Sequence, residues 1–246
     1  MIKASEESLL QKSYSFDTSG FCLLRSDTRT VVLKFGGEGI GHGHPDKLSI
    51  TIHDGKNELV SDFGTSGYGV PDYLKWYKRT LSHNTVTVDA KDQKRSVGKL
   101  LKFNPRSDGG YAEAETTTAY PGVRMKRSLD LKGTHLQDVY TCTSDSSHLY
   151  EYVILFNEKP LMDGQPTATT LTGSEVHERI HNIFSYPHKS GFTCRTSSAS
   201  VQFDIPEGEV MEVVLGEASG IPANPTVKDG PGAGDVAVKP CYPLII

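Results

Sequence analysis

The sequence predicts an all-β protein, an antiparallel β-sandwich, from three observations. Apolar and polar residues alternate with a period of two in several short runs. Turn-forming residues punctuate those runs, with 24 glycines and 13 prolines among 246 residues. Only one short stretch carries a helical period. A period of two places successive side chains on opposite faces of an extended chain, so each run has one face for a core and one for water. Frequent glycine and proline favour many short strands over long helices.

Taken in order, residues 3–12 form the helical-looking stretch. From Gly20 onward the pattern is that of strands. Phe21-Cys-Leu-Leu-Arg25 and Thr30-Val-Val-Leu-Lys-Phe35 flank the polar turn Ser26-Asp-Thr-Arg29. Leu48-Ser-Ile-Thr-Ile-His53 alternates strictly and runs into Asp54-Gly55, a strong hairpin signal, ahead of Glu58-Leu-Val60. Val123, Met125, Leu129 and Leu131 share one parity, with Arg124, Lys126 and Asp130 on the other. Further strands are expected at 136–143, 149–156, 200–205 and 210–215. The tail from Ile221 to Pro243 is dense in proline and glycine and is expected to follow an irregular path. With no internal repeat and no linker within 20–215, residues 1–246 read as a single domain. The closing Pro243-Leu-Ile-Ile246 looks like a strand cut mid-run, and the opening stretch lacks an obvious partner. Both suggest a piece of a longer protein.

Composition excludes several classes. At 36% hydrophobic and 23% charged, the chain has apolar patterning throughout and is not disordered. No apolar run approaches the roughly 18 residues of a membrane helix, so no membrane partner is expected. The opening Met1-Ile-Lys-Ala-Ser-Glu-Glu7 has no apolar signal-peptide core. A net charge of −4 argues against nucleic acid as a partner. Cys22, Cys142, Cys194 and Cys241 are far apart with no CxxC, so neither a zinc knuckle nor a redox pair is encoded, and buried free thiols are expected, with a long-range disulfide as the alternative.

The densest chemistry lies between Gly36 and Asp89. Gly36-Gly-Glu-Gly-Ile-Gly-His42-Gly-His44-Pro-Asp46 sets two histidines two residues apart, so in an extended segment both face one way. Gly41 and Gly43 permit close approach of backbone or ligand. Asp62 follows the next strand and His83 heads another, in Ser82-His83-Asn84-Thr-Val-Thr-Val-Asp89. Two or three imidazoles and a carboxylate at strand edges suit a divalent transition metal, zinc best. Between them, residues 65–80 gather Tyr68, Tyr73 and Tyr77 with Lys75, Lys78 and Arg79. Tyr73 and Trp76 read as anchors of a surface loop, while the cations offer a local patch for an acidic sugar despite the net negative charge.

Two competing motifs are weaker. His177-Glu178-Arg-Ile-His181 matches HExxH, yet its surroundings are β-like and no third ligand follows at the right spacing. A cupin-like metal enzyme also uses HxH with a later histidine, but its pattern requires a glutamate where Leu48 and Ser49 stand.

Three ordered blocks, Gly41-His-Gly-His-Pro-Asp-Lys-Leu48, Asp62-Phe-Gly-Thr-Ser-Gly-Tyr-Gly69 and Trp76-Tyr-Lys-Arg-Thr-Leu-Ser-His-Asn-Thr-Val-Thr-Val-Asp89, together resemble the C-terminal β-sandwich domain of the heparinase II/III-like polysaccharide lyases, which include oligoalginate lyases. The resemblance implies zinc bound through His44, Asp62 and His83. It places His42 near the reacting uronate as carboxylate neutraliser or base. Tyr68 is the first match for a cleft tyrosine acting as acid or base, and Tyr77 the second. It further implies an acidic polysaccharide substrate cleaved by β-elimination, an α/α toroid N-terminal to this domain and absent from this chain, and a bacterial periplasmic or secreted setting. The isolated domain is then expected to be inactive. The rival reading from a different class is a non-catalytic module that grips acidic glycan around a structural metal.

Overall fold

The computed structural model describes residues 12–37, 42–55, 57–64, 72–188, 191–204, 211–222 and 238–246. Apart from Lys12, the expected helical stretch lies outside the described residues. Strands β1 (Tyr14–Phe16), β2 (Phe21–Arg25), β3 (Arg29–Lys34), β4 (Ile50–Asp54) and β5 (Asn57–Val60) come first. A wound segment leads to β6 (Val86–Val88), followed by the long strands β7 (Lys99–Arg106), β8 (Gly109–Tyr120), β9 (Val123–Lys132) and β10 (His135–Ser144). The rest of the chain forms β11 (Tyr150–Phe156), β12 (Leu161–Met162), β13 (Thr167–Ala168), β14 (His181–His188), β15 (Phe192–Arg195), β16 (Ser200–Phe203), β17 (Met211–Pro222) and β18 (Val238–Ile245). Every registered pairing is antiparallel, as the alternation predicts.

The chain divides into two compact units, one from Met1–Glu58 with Gln93–His148 and one from Leu59–Asp92 with Leu149–Ile246. In the first, β1 to β4 pair in sequence order, and β7 to β10 form a four-stranded meander. β2 packs across β8, so the two sheets make a sandwich. Its core is built from alternate residues: Cys22, Leu24, Val31, Leu33 and Ile50 from one sheet, Ala112, Ala114, Met125, Leu129 and Leu131 from the other. Each fully buried leucine or methionine contributes roughly 1.5–3 kcal/mol. The sheet of β7 and β8 was not legible in advance, and its inward alanines explain why, since they carry little hydrophobic signal. Where β2 and β3 begin and end, Gly20 (φ 72°) presses against Gly36. A Cβ on Gly20 would lie 1.9 Å from the Gly36 Cα, so glycine is obligatory at this approach to the histidine loop.

In the second unit β11 is the organising strand. β18 pairs along one edge, followed by β17, β14 and β13, while β12, β15 and β16 make a small separate sheet. On the other edge β6 pairs with Tyr150–Tyr152 and β5 with Phe156, through Val60. The core gathers Phe63, Trp76, Tyr77, Leu81, Val153, Leu155, Val176, Ile180, Val214 and Cys241. The tail corrects the expectation of an irregular path, because Val238–Ile245 is a central strand between β11 and β17. Pro240 and Pro243 cannot donate to its ladders. Burial of Cys241, Leu244 and Ile245 on both neighbours outweighs those missing bonds. Residues 223–237 of that tail lie outside the described residues. The four cysteines are free thiols, three buried and Cys142 half-buried. Burial pushes the Cys22, Cys142 and Cys194 thiols up to about 12, which keeps them protonated and inert.

Candidate functional site

In the second unit, the segment between Asp72 and Thr85 is wound rather than extended. Tyr73–Tyr77 form a π-helical turn, with the amides of Tyr77 and Lys78 bonded five residues back to Asp72 and Tyr73. A 3-10 turn, Thr80–Ser82, delivers His83 into extended backbone. The winding is driven by anchoring: Trp76 is fully buried and its indole donates to the Ser219 carbonyl at 2.6 Å, while the Tyr77 hydroxyl donates to the Gly220 carbonyl at 2.8 Å. Single π turns are rare and commonly sit beside functional residues.

His83 is 1% exposed and its Nδ1 stands 3.1 Å from Asp62 Oδ2, while Asp62 Oδ1 accepts the Gly64 amide at 2.9 Å. Asn84 explains how two residues 21 positions apart are brought together. Along the edge of β11, the gap between β6 and β5 is filled by its side chain. Its Nδ2 donates to the Ser61 carbonyl and its Oδ1 accepts the Leu155 amide, both at 2.7 Å. The Ser61 amide in turn donates to the Leu155 carbonyl, and Asn157 donates to the Ser61 hydroxyl. Asp62 and His83 therefore leave adjacent points of one cross-linked edge. Two donors of a tetrahedral zinc, each bonded at about 2.0–2.2 Å, lie about 3.3 Å apart, so the Asp62–His83 spacing suits joint ligation. The donor chemistry, one imidazole nitrogen and one carboxylate oxygen, also fits that ion.

In the first unit, His42 is exposed on a turn and His44 is buried. The turn that follows is closed by the Ser49 amide on the Asp46 carbonyl, with Leu48 at its third residue and φ 62°. Leucine is a costly occupant there, by roughly 1–3 kcal/mol, and Leu48 lies in a turn where the sequence had predicted the start of a strand. Gln93 holds the same turn from both sides, accepting the Lys47 amide at 2.7 Å and donating to its carbonyl at 3.1 Å. The buried Lys47 ammonium pairs with Asp46 at 3.0 Å, and Lys34 pairs with the same carboxylate.

Of the remaining predicted site residues, Tyr68 and Gly41 lie outside the described residues. Tyr77 is buried, and burial together with the Asp72 carboxylate pushes its hydroxyl up to about 12, the opposite of what a proton shuttle needs. It serves the fold as a strut. Arg79 is spent within the protein, its Nε 2.6 Å from Asp92 and its Nη1 2.9 Å from Glu175. Burial alone would lower the Arg79 pKa; the two carboxylates reverse this and raise it. Lys78 Nζ lies 5.8 Å from the centre of the Tyr73 ring, and Lys75 is exposed. Tyr73 and Trp76 are buried anchors, as the sequence reading preferred.

The HExxH segment is no helix of ligands. His177–Arg179 make one 3-10 turn, and His181 is exposed at the start of β14. His177 instead turns inward, Nε2 2.9 Å from Glu151 Oε1, and Thr87 donates to the other carboxylate oxygen at 2.5 Å. Burial pushes the Glu151 carboxyl up, but the hydrogen bonds of His177 and Thr87 and the charge of His177 outweigh it and hold it below its usual value. Glu151, Gln93 and the structural use of Asn84 escaped the sequence reading. For Glu151 the available signal was a charge at the parity of Val153 and Leu155.

Comparison with known proteins accords with this architecture. The family model for the heparinase II/III-like C-terminal region matches residues 9–208. An exo-oligoalginate lyase of Saccharophagus degradans is 28% identical over 153 residues, covering 52% of this chain and 20% of its own length. An alginate lyase of Stenotrophomonas maltophilia is 28% identical over 176 residues, 61% of this chain and 24% of that protein. A heparin-sulfate lyase of Bacteroides stercoris is 31% identical over 128 residues, 48% of this chain and 19% of the relative. The chain thus spans about a quarter or less of these relatives. Among solved structures, the heparan sulfate lyase HepC of Pedobacter heparinus superposes with a TM-score of 0.62 at 14% identity, covering 95% of this chain and 34% of that one. These structures share the fold, and with a family match across most of its residues, this chain belongs to the heparinase II/III-like C-terminal family.

Proposed function

We propose that this chain is the β-sandwich part of a polysaccharide lyase that cleaves a uronate-containing polysaccharide by β-elimination. The observation that carries the reading is the family match over residues 9–208, together with relatives that are alginate and heparin-sulfate lyases. In β-elimination a base takes the proton at C5, α to the uronate carboxylate, and the C4 glycosidic oxygen leaves. That proton is acidic enough only when the carboxylate charge is neutralised by preorganised donors. His42, exposed on its turn, is assigned to the carboxylate as neutraliser or base. Tyr68 is assigned as supporting acid or base, and the buried Tyr77 is left with positioning. Lys75 offers an exposed cation for further uronates, with Lys78 beside it; Arg79 holds the wound segment in place through Asp92 and Glu175.

A zinc ion ligated by His44, Asp62 and His83 is part of the proposal. Bound there it would supply fixed positive charge and rigidity to the cleft wall. The complementary machinery is assigned to an α/α toroid N-terminal to this domain. The test has two arms. Metal content of chelator-free protein is expected at about one zinc per chain and is expected to fall away in His44→Ala and Asp62→Ala. Joined to such a toroid, the chain is expected to release unsaturated product, read by its ultraviolet absorbance, from alginate or heparan-type polymers, and His42→Ala to abolish it. Binding of acidic polymer without turnover in the joined protein would replace the lyase by a glycan-gripping module.

A further inference from the structure

Arg127 breaks the apolar parity of β9. Val123, Met125, Leu129 and Leu131 point into the first unit's core, and Arg127 shares their face at 0% exposure. Its guanidinium meets Asp138 of β10 in a two-point contact, Nε to Oδ1 at 2.9 Å and Nη2 to Oδ2 at 2.5 Å. The Tyr140 ring lies against it, with the central carbon 5.3 Å from the ring centre. The remaining arm, Nη1, donates to the Leu48 carbonyl at 2.7 Å. Leu48 is the residue held at φ 62° in the turn immediately after His44.

We propose that Arg127 is a positioning residue for the His44 loop: it anchors the strained turn Asp46–Ser49 to β9 and so sets where His44 is presented. The proposal deepens the lyase reading, since it concerns the same histidine. Three features carry it. A planar, permanently charged fork oriented by Asp138 gives the turn a fixed anchor that lysine cannot reproduce. The bond goes to the carbonyl of the one residue in the turn that pays for a left-handed conformation, where an outside partner most affects the balance between this turn and an extended path. Gln93 holds both peptide groups of Lys47, Lys34 accepts the Leu48 amide and donates to the Ser49 carbonyl, and the Asp46 groups bond to His44 and Ser49, so Arg127 supplies the partner for the Leu48 carbonyl.

The experiment compares wild type, Arg127→Lys, Asp138→Asn and the control Arg124→Ala on the opposite face of β9. Backbone amide exchange is read at Asp46, Leu48 and Ser49, together with the ring-proton NMR signal of His44 and the zinc affinity by titration calorimetry. Arg127→Lys is expected to speed exchange at Leu48 and Ser49 at least tenfold and to shift or broaden the His44 signal. Exchange in the β2–β3 ladder stays as in wild type. Zinc affinity is expected to fall by roughly tenfold to a hundredfold, the range typical when an outer support of a ligand is lost. Asp138→Asn should show the same pattern more weakly, and Arg124→Ala none of it. Unchanged exchange and an unchanged His44 signal in Arg127→Lys would overturn the proposal. So would acceleration spread evenly over the whole unit, which would make Arg127 an ordinary core strut. If Arg127→Lys does not fold, Asp138→Asn decides by the same readings. A wild type that binds no zinc would sink the metal assignment, and amide exchange would still decide the role of Arg127.

Discussion

The edge of β11 offers the sharpest test of how the Asp62–His83 pair is built. Replacing Asn84 by alanine removes two hydrogen bonds at once, to the Ser61 carbonyl and from the Leu155 amide, each 2.7 Å long and both inside a site where Asn84 is 0% exposed. Alanine offers neither donor nor acceptor, and at 0% exposure the site gives water little access to replace the amide. A buried backbone group left unpaired costs about 1–3 kcal/mol, so the two together predict a loss of about 2–6 kcal/mol. That is a large fraction of the 5–15 kcal/mol typical of a folded domain. The reporter is built in: the only tryptophan, Trp76, is fully buried in the same unit's core. With a urea slope of about 2–3 kcal/mol/M, the fluorescence midpoint of Asn84→Ala should fall by about 0.7–3 M at unchanged slope. Asn84→Asp retains the acceptor for Leu155 but sets a carboxylate against the Ser61 carbonyl, so it should be no better. A midpoint within about 0.3 M of wild type would refute the idea that the side chain completes the ladder.

Three further outcomes follow from named contacts. Glu151 is held below its usual pKa, so its contribution to stability is present above the ordinary glutamate value of 4.5 and is lost as pH falls through the lower folded-state value. Glu151→Gln should therefore flatten the acid limb of an unfolding midpoint-versus-pH curve, and an acid limb identical to wild type would count against the buried His177–Glu151 pair. His177→Ala, which leaves the Glu151 carboxylate with Thr87 but without its imidazole partner, should lower stability by up to about 3–5 kcal/mol while leaving metal content unchanged; loss of metal would move the site to the HExxH segment. Tyr77, with its hydroxyl raised to about 12 against an unfolded value of 10.0, contributes stability that is lost between those two pH values. Tyr77→Phe should abolish that alkaline step, cost about 1–3 kcal/mol at neutral pH through the orphaned Gly220 carbonyl, and leave uronate elimination by a toroid-joined protein intact. A collapse of turnover without loss of stability would instead make Tyr77 catalytic.

The legibility of this fold follows residue size. Where inward positions carry Leu, Val, Ile or Met, as in Phe21–Arg25, Arg29–Lys34 and Val123–Lys132, alternation located the strands to within a residue or two. β8 alternates just as strictly, but with Ala112, Ala114 and Thr116 facing in, and β7 carries polar residues on both faces, so neither announced itself. Leu48 shows the converse failure: its apolar side chain is buried, as the alternation implied, yet its backbone turns left-handed, and the partner of its carbonyl is on β9, far along the chain.

The same division runs through the candidate site. Candidate residues such as His42, His44, Asp62 and His83, beside glycines and strand ends, were recognisable as candidates in the sequence because their chemistry is unusual for that setting. Their supports were not, because support is a matter of register. Asn84 matters only since β6 and β5 leave a gap opposite Leu155, Gln93 only since it faces both peptide groups of Lys47, and Arg127 only since β9 carries it to Leu48. One local clue did survive in two of the buried ion pairs: a charged residue standing at an inward parity, Arg127 among Met125 and Leu129, Glu151 among Val153 and Leu155. A charge placed there must find a partner inside the protein, since an unpaired buried ion costs several kcal/mol. In a sandwich with regular alternation, such parity breaks therefore point to the places where one strand holds another part of the chain in position, and here one of them leads directly to the turn that follows His44.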